Sequence, residues 1–138
     1  MEEIFIKVKA LEDIPAHRLC NLGTPDEEEG LPTVVLPEEG WPPDFVSVRE
    51  LKAGEIATVV LKPHDIWMVE AGADLPAGMS VSTMQDGRVG RAMHTENKTP
   101  ANIGFTLNAA KEGELVKIYR NYKIRPEWLE RVDNFINQ

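Results

Sequence analysis

His17, His64 and His94 are the only histidines of the chain and Cys20 its only cysteine, so a nucleophile, a general base or an imidazole-held metal would have to be assembled from these four. Their spacing does not assemble one. The histidines lie far apart, none pairs with another at metal-ligand spacing, and no nucleophile motif surrounds Cys20. Asp26, Glu27, Glu28 and Glu29 supply consecutive carboxylates, but a calcium loop spaces its carboxylates around a central glycine and closes on a bidentate Glu. This run reads as a solvated acidic loop. Glu38 and Glu39 stand beside Pro37 and Gly40, where water leaves them ordinary surface acids. No cofactor, no metal and no enzyme activity is expected.

A second chemical candidate is "ADLPAGMSVSTMQDGRVGRA", residues 73–92, which combines glycines with Arg88 and Arg91. A phosphate-cradling loop runs from a strand into a helix and follows a fixed glycine pattern. Here Gly87-Arg-Val-Gly90 has strand-like sequence on both sides, and Asp86-Gly87 reads as a type I′ hairpin turn. Gly54, Gly78, Gly87 and Gly113 are accordingly assigned to structural turns. The competing chemical reading places Arg88, Arg91 and His94 around an anionic small molecule on a duplicated barrel.

The elements that would position such residues are strands. "EIFIKVK" alternates Ile4, Ile6 and Val8 on one face with Phe5, Lys7 and Lys9 on the other, the period of a half-buried strand. Residues 55–61, 65–71, 78–83, 87–92, 102–108 and 114–120 are likewise short, apolar or β-branched, and bounded by Gly, Pro, Asp or Asn. Many short strands predict a mainly β fold, a small β-barrel or β-tulip-like domain. Residues 21–44, rich in Pro, Gly and acids, are expected to fall outside the sheet, with Trp41 either plugging the core edge or facing a partner.

The 138 residues suffice for one domain with a modest core. The net charge of −8 opposes direct nucleic-acid binding, which relies on clustered Lys and Arg. No apolar run is long enough to span a bilayer and no basic-then-apolar leader is present, so a soluble chain without a membrane partner is expected. The lone cysteine permits no intrachain disulfide.

Self-similarity organises the chain. "FVSVRELKAGEIATVVL" (45–61) lies over "GFTLNAAKEGELVKIYR" (104–120) without a gap, Gly54 on Gly113 and Glu55 on Glu114, and "DIPA" at 13–16 repeats as "DLPA" at 74–77. Duplication explains both matches in the same order. The expected organisation is one β domain over 1–123, with repeats at about 10–61 and 71–120, and a helical arm over 124–138. In the arm, Pro126 opens the helix, and Trp128, Leu129, Val132, Phe135 and Ile136 form one apolar stripe. That stripe packs on its own sheet or docks on a neighbouring subunit. Residues 1–9, with Ile4, Phe5 and Ile6, are a second candidate contact, a strand that adds to a neighbour's sheet edge.

The series "DIPAHRLCNL", "DFVSVRELKAGEIATVVL", "VEAGADLPAGMSVSTMQDGRVGRA" and "IGFTLNAAKEGELVKIYR" resembles the capsid decoration, or cement, proteins of tailed bacteriophages. Residues 69–120 carry the resemblance nearly throughout, through Ala77-Gly78-Met79, Asp86-Gly87-Arg88, Gly90-Arg91-Ala92, Ile103-Gly104-Phe105 and Glu112-Gly113-Glu114. In the first half His17 replaces the glycine and an insertion at 24–44 lengthens the middle, and the tail from 121 lies outside the resemblance. The resemblance implies a β-rich homotrimer made in the host cytoplasm and carried on the virion exterior. There it would bind the major capsid protein, bridge coat subunits and stabilise the shell against internal DNA pressure. A different head or tail component, such as a fibre base or an adaptor, is the alternative of the same class.

Overall fold

The structure is a computed structural model that describes residues 4–61, 66–92 and 102–120. The described residues are mainly β, with ten strands in two five-stranded sheets. The first sheet comprises β1 (Ile4–Ala10), β2 (Leu19–Gly23), β3 (Thr33–Val35), β4 (Phe45–Val46) and β5 (Ile56–Leu61), in the order β4-β2-β3-β1-β5. The second comprises β6 (Ile66–Glu70), β7 (Ser80–Thr83), β8 (Val89–Arg91), β9 (Gly104–Thr106) and β10 (Leu115–Arg120), in the order β6-β10-β9-β7-β8. The expected helix over 124–138, with Trp128, Leu129, Val132, Phe135 and Ile136, lies outside the described residues.

The same hydrogen bonds recur in both halves because the same residue types recur. Asp13 Oδ1 accepts the Ala53 N–H at 2.8 Å, and Asp74 Oδ1 accepts the Glu112 N–H at 3.0 Å. Ser47 Oγ donates to Pro15 O at 2.7 Å, and Thr106 Oγ1 to Pro76 O at 2.6 Å. The Ile14–Leu51 bridge of the first half has its counterpart in Leu75–Ala110. Gly54 and Gly113 sit third in Lys-x-Gly-Glu turns at φ of 84° and 90°, where a type II turn requires a left-handed residue. His17 takes the place of Gly78 and also its backbone: φ is 62° and 79° respectively, and both N–H groups donate to the partner strand's carbonyl, Ser47 O and Thr106 O.

Three local expectations are corrected. Residues 21–44 do not fall outside the sheet, because β3 inserts between β2 and β1, pairing Leu22 with Val34 and Ala10 with Val34. The apolar island Val34–Leu36 is thus partly a strand, hidden by the Pro- and acid-rich sequence around it. The Asp86-Gly87 hairpin is not type I′, since only Gly87 has positive φ. The Gly87 N–H donates to Met84 O and the Met84 N–H to Arg88 O, a three-residue loop closed by a left-handed glycine. Finally, β1 is no free arm: Ile4–Lys9 are laddered to Leu61–Ile56, and Lys9 and Ala10 pair with β3.

The two cores share a wall. Leu19 pairs with Val46 and Cys20 with Phe45 in the β2–β4 ladder, and strand alternation sends the two pairs to opposite sides. Cys20 and Phe45 enter the core with Val8, Ile14, Val34 and Leu51. Leu19 enters the other core with Trp67, Val69, Leu75, Val81, Val89, Val116 and Ile118, and Val46 packs against that core. Backbone bonds cross at the same place, Leu19 N–H to Gly87 O at 2.7 Å and Glu70 N–H to His17 O at 3.0 Å.

Gly87 therefore carries two constraints that Gly54 does not. Both have φ of 84°, but a Cβ at Gly87 would stand 2.7 Å from Leu19 O, whereas one at Gly54 meets open space. Gly54→Ala is expected to cost about 1 kcal/mol, the left-handed penalty alone. Gly87→Ala is expected to cost roughly 3 kcal/mol, because the overlap between the halves adds to that penalty. Urea unfolding of both variants checks this, and equal losses would show that the two halves do not press on the hairpin.

Candidate interaction surface

Of the four residues considered for catalysis, His17 and Cys20 are described, and both have structural places. His17 serves the turn described above, while His64 and His94 lie outside the described residues. Cys20 is fully buried and its thiol donates to Arg18 O at 3.3 Å. Burial pushes the thiol up to about 12, so it holds its proton at physiological pH and is no nucleophile. Among the described residues one acidic group has ligand atoms close enough together for a cation, Asp26, Glu28 and Glu29. The Lys9 ammonium already stands 3.6 Å from Asp26 and 3.8 Å from Glu29, supplying the positive charge.

Arg88 is likewise spent. Its Nε donates to Asp86 at 2.6 Å, and its Nη1 lies 3.8 Å from Glu70 and 3.6 Å from Glu112. Glu70 also takes Arg18 at 3.2 Å, and Arg18 donates its other terminal nitrogen to Asp86 O at 2.9 Å. The four side chains Arg18, Glu70, Asp86 and Arg88 form one half-buried ionic knot across the junction of the halves. Burial alone would raise the Asp86 carboxyl, but the Arg88 N–H, its guanidinium and the charge of Arg18 outweigh that and hold it below its ordinary value. Hydrogen bonding to Asp86 raises Arg88 in turn. A guanidinium facing three carboxylates does not receive an anion, which counts against the small-molecule reading. Arg91 is exposed on a shallow groove with Asp74, Lys111 and Glu114, and His94, the third residue of that reading, lies outside the described residues.

What the described surface does offer is an apolar sheet face. Along β6 and β10 the buried residues Trp67, Val69, Val116 and Ile118 alternate with Ile66, Met68, Leu115, Lys117 and Tyr119, which point outward. The register sets Tyr119 opposite both Ile66 and Phe105, and the Phe105 and Tyr119 rings stack with centroids 5.5 Å apart. Ile66, Met68, Phe105 and Tyr119 remain 49%, 40%, 37% and 42% exposed. At the end of β10 the Arg120 guanidinium lies 3.3 Å from the Trp67 ring centroid, a cation–π contact. A contiguous apolar patch of this kind is a candidate site of macromolecular contact.

Of the residues singled out from sequence as partner contacts, Phe5 faces outward and is 64% exposed. Ile6 packs against the first core because it shares the face of Val8. Ile4 is placed at the head of β1. Trp41 is 57% exposed and does not plug the core. The outer-face residues Ile66, Met68, Phe105 and Tyr119 and the knot residues Arg18 and Glu70 were not found from sequence. In "IWMVE" both faces are apolar, so alternation alone does not say which is outward, and the knot unites residues far apart in the chain.

Comparison with known proteins gives a consistent result. The family model described as "Head fiber protein" matches residues 6–134. The chain is 36% identical over 81 residues to the "Head fiber protein" of Bacillus phage Nf and, over the same length, to the "Capsid fiber protein" of Bacillus phage B103. The match covers 59% of this chain but only 30% and 27% of those proteins, so the chain spans less than a third of their length. The fold is similar to the crystal structure of the N base of the head fibre protein of bacteriophage phi29, with a TM-score of 0.76 and 24% identity, covering 87% of this chain and 95% of that one.

Two outcomes follow from the geometry. Because the folded Asp86 carboxyl is held below its ordinary value of 3.8, it contributes stability that is full above that value and is lost as pH falls through the folded one. Asp86→Asn is expected to flatten part of the acid limb in urea midpoints taken from about pH 6 to about pH 2; an unchanged slope would leave the knot without a role. Cys20 is expected to react with a disulfide reagent only after unfolding, and rapid labelling of the native protein would contradict its burial.

Proposed function

Because the chain belongs to the head fibre protein family of bacteriophages, we propose that it is a virion structural protein seated on the outer surface of a phage head as the base of a fibre. The match of the family model across residues 6–134 carries this reading, since that span includes both sheets. The likeness of the fold to a head fibre N base supports a base over a close-packed cement protein. A base needs a rigid body and faces that contact other chains. The shared core wall and the ionic knot supply the first, and the apolar face around Phe105 and Tyr119 supplies the second.

Its partners in this reading are the major capsid protein beneath it and two further copies of itself, as a homotrimer. Modest contacts repeated by symmetry give avid attachment without a large interface in any one copy, and bridging of coat subunits stabilises the shell as a consequence. Residues 124–138, with the stripe Trp128, Leu129, Val132, Phe135 and Ile136, are the segment assigned to fastening copies together. The two halves descend from one duplicated module, a reading supported by the hydrogen bonds at Asp13 and Asp74 and at Ser47 and Thr106. No catalytic role is part of this function.

Co-sedimentation with undecorated shells of the same phage tests it, read as copies per coat subunit. A saturable ratio well below one is expected for a fibre base, whereas a ratio near one would establish the cement reading, and absence of binding would remove both. Replacing Phe105 and Ile66 together by Lys leaves the buried face intact and is expected to weaken shell binding or trimer formation at least about tenfold, as charges on an interface core do.

A further inference from the structure

The first sheet ends on a strand edge that the second sheet closes. In β5 the Glu55 carbonyl accepts the Ala10 N–H at 2.9 Å, and the unbroken register from Lys9↔Ile56 to Ile4↔Leu61 follows. Polar backbone groups alternate sides along an antiparallel strand. Ala57, Val59 and Leu61 therefore serve β1, while Ile56, Thr58 and Val60 turn their N–H and C=O groups the other way, where no described residue meets them. At the matching edge of β10 the second half has β9, pairing Ile118 with Thr106 and Tyr119 with Phe105, and the Leu107 N–H donates to Lys117 O at 2.8 Å.

The aligned residues differ at the point where the strands approach. β9 approaches β10 at Gly104, where a Cβ would lie 2.1 Å from Tyr119 O. The aligned position in the first half is Phe45, whose side chain is 3% exposed within the core. β4 is not paired with β5, and Val48, aligned with Leu107, is 77% exposed. The open edge reads Ile-Ala-Thr-Val-Val-Leu, without the charge, proline or bulge that keeps free edges from pairing.

We propose that β5 accepts an added strand from the coat subunit, a proposal that rests on the reading of the chain as a head-surface protein. The incoming segment is extended, apolar towards its ends and acidic at its centre. Ile56 on the edge strand and Phe5, in register with Val60, are exposed, and Lys7, paired in register with Thr58, has no counter-ion among the described residues. A carboxylate abreast of Thr58 is within reach of that ammonium. A second copy laid edge to edge would bring another lysine to the same face, so charge selects a different chain. Backbone pairing of this kind gives affinity and the flanking side chains give selectivity.

The test uses the whole chain and shells of the same phage's coat protein. Thr58→Pro deletes an outward N–H without touching the ladder to β1, and Thr58→Val keeps it. Thr58→Pro is expected to retain the parental melting temperature and to bind shells at least tenfold more weakly, with Thr58→Val binding as the parent. Hydrogen exchange on the unaltered protein gives an independent readout, in which the amides of Ile56, Thr58 and Val60 exchange fast when free and slow on shells. Parental binding with those amides still fast overturns this proposal alone. Protection that arises without shells, together with self-association in sedimentation, overturns it in favour of a second copy. Failure of the parent to bind shells overturns the head-surface reading first and this proposal with it.

Discussion

The β2–β4 ladder is the constraint on which the rest depends. Leu19 and Val46 face one core, Cys20 and Phe45 the other, so a two-residue strand pair separates two hydrophobic clusters and belongs to both. Neither core is complete without it. Burying a side chain of the size of Leu19 contributes about 2 kcal/mol, and here that burial also binds the halves together. The backbone bonds at Leu19–Gly87 and His17–Glu70 then fix the halves in angle as well as distance.

The ionic knot is best understood as a consequence of that junction. Once Leu19 is seated, its neighbour Arg18 must emerge beside Glu70 and the Asp86 hairpin, and the carboxylates there neutralise both Arg18 and Arg88. Arginine suits the position because its planar fork satisfies several acceptors at once. The knot also explains why the glycine-rich hairpin is not a phosphate site: its turn is filled by the other half of the same chain, with Arg18 and Leu36 packed against Gly87.

The departures from symmetry are where the contact chemistry lies. Gly104 lets β9 close on β10 in the second sheet, whereas the first, with Phe45 at the aligned position, stays open at β5 among the described residues. The closed sheet turns an apolar, aromatic outer face to its surroundings; the open one presents backbone donors and acceptors along β5. Surfaces of these two kinds suit the contacts proposed for this member of the head fibre family.

By itself the sequence determined the mainly β class, the repeat, the left-handed turns at Gly54, Gly78, Gly87 and Gly113, and the absence of any local catalytic pattern. These properties are legible because each depends on neighbours within a few residues: strand alternation, turn stereochemistry, a Lys-x-Gly-Glu unit met twice. Local spacing does not show that Ile6 turns inward or which type the hairpin takes, since the face a strand buries and the conformation of a loop are settled by what packs against them. Tertiary packing alone settled that Val34 joins a sheet, that Leu19 crosses to the other core, that Arg18 meets Asp86 and that no described strand takes up the outer edge of β5. Each of those depends on distant residues brought together by burial, and the spacing along the chain carries no record of it.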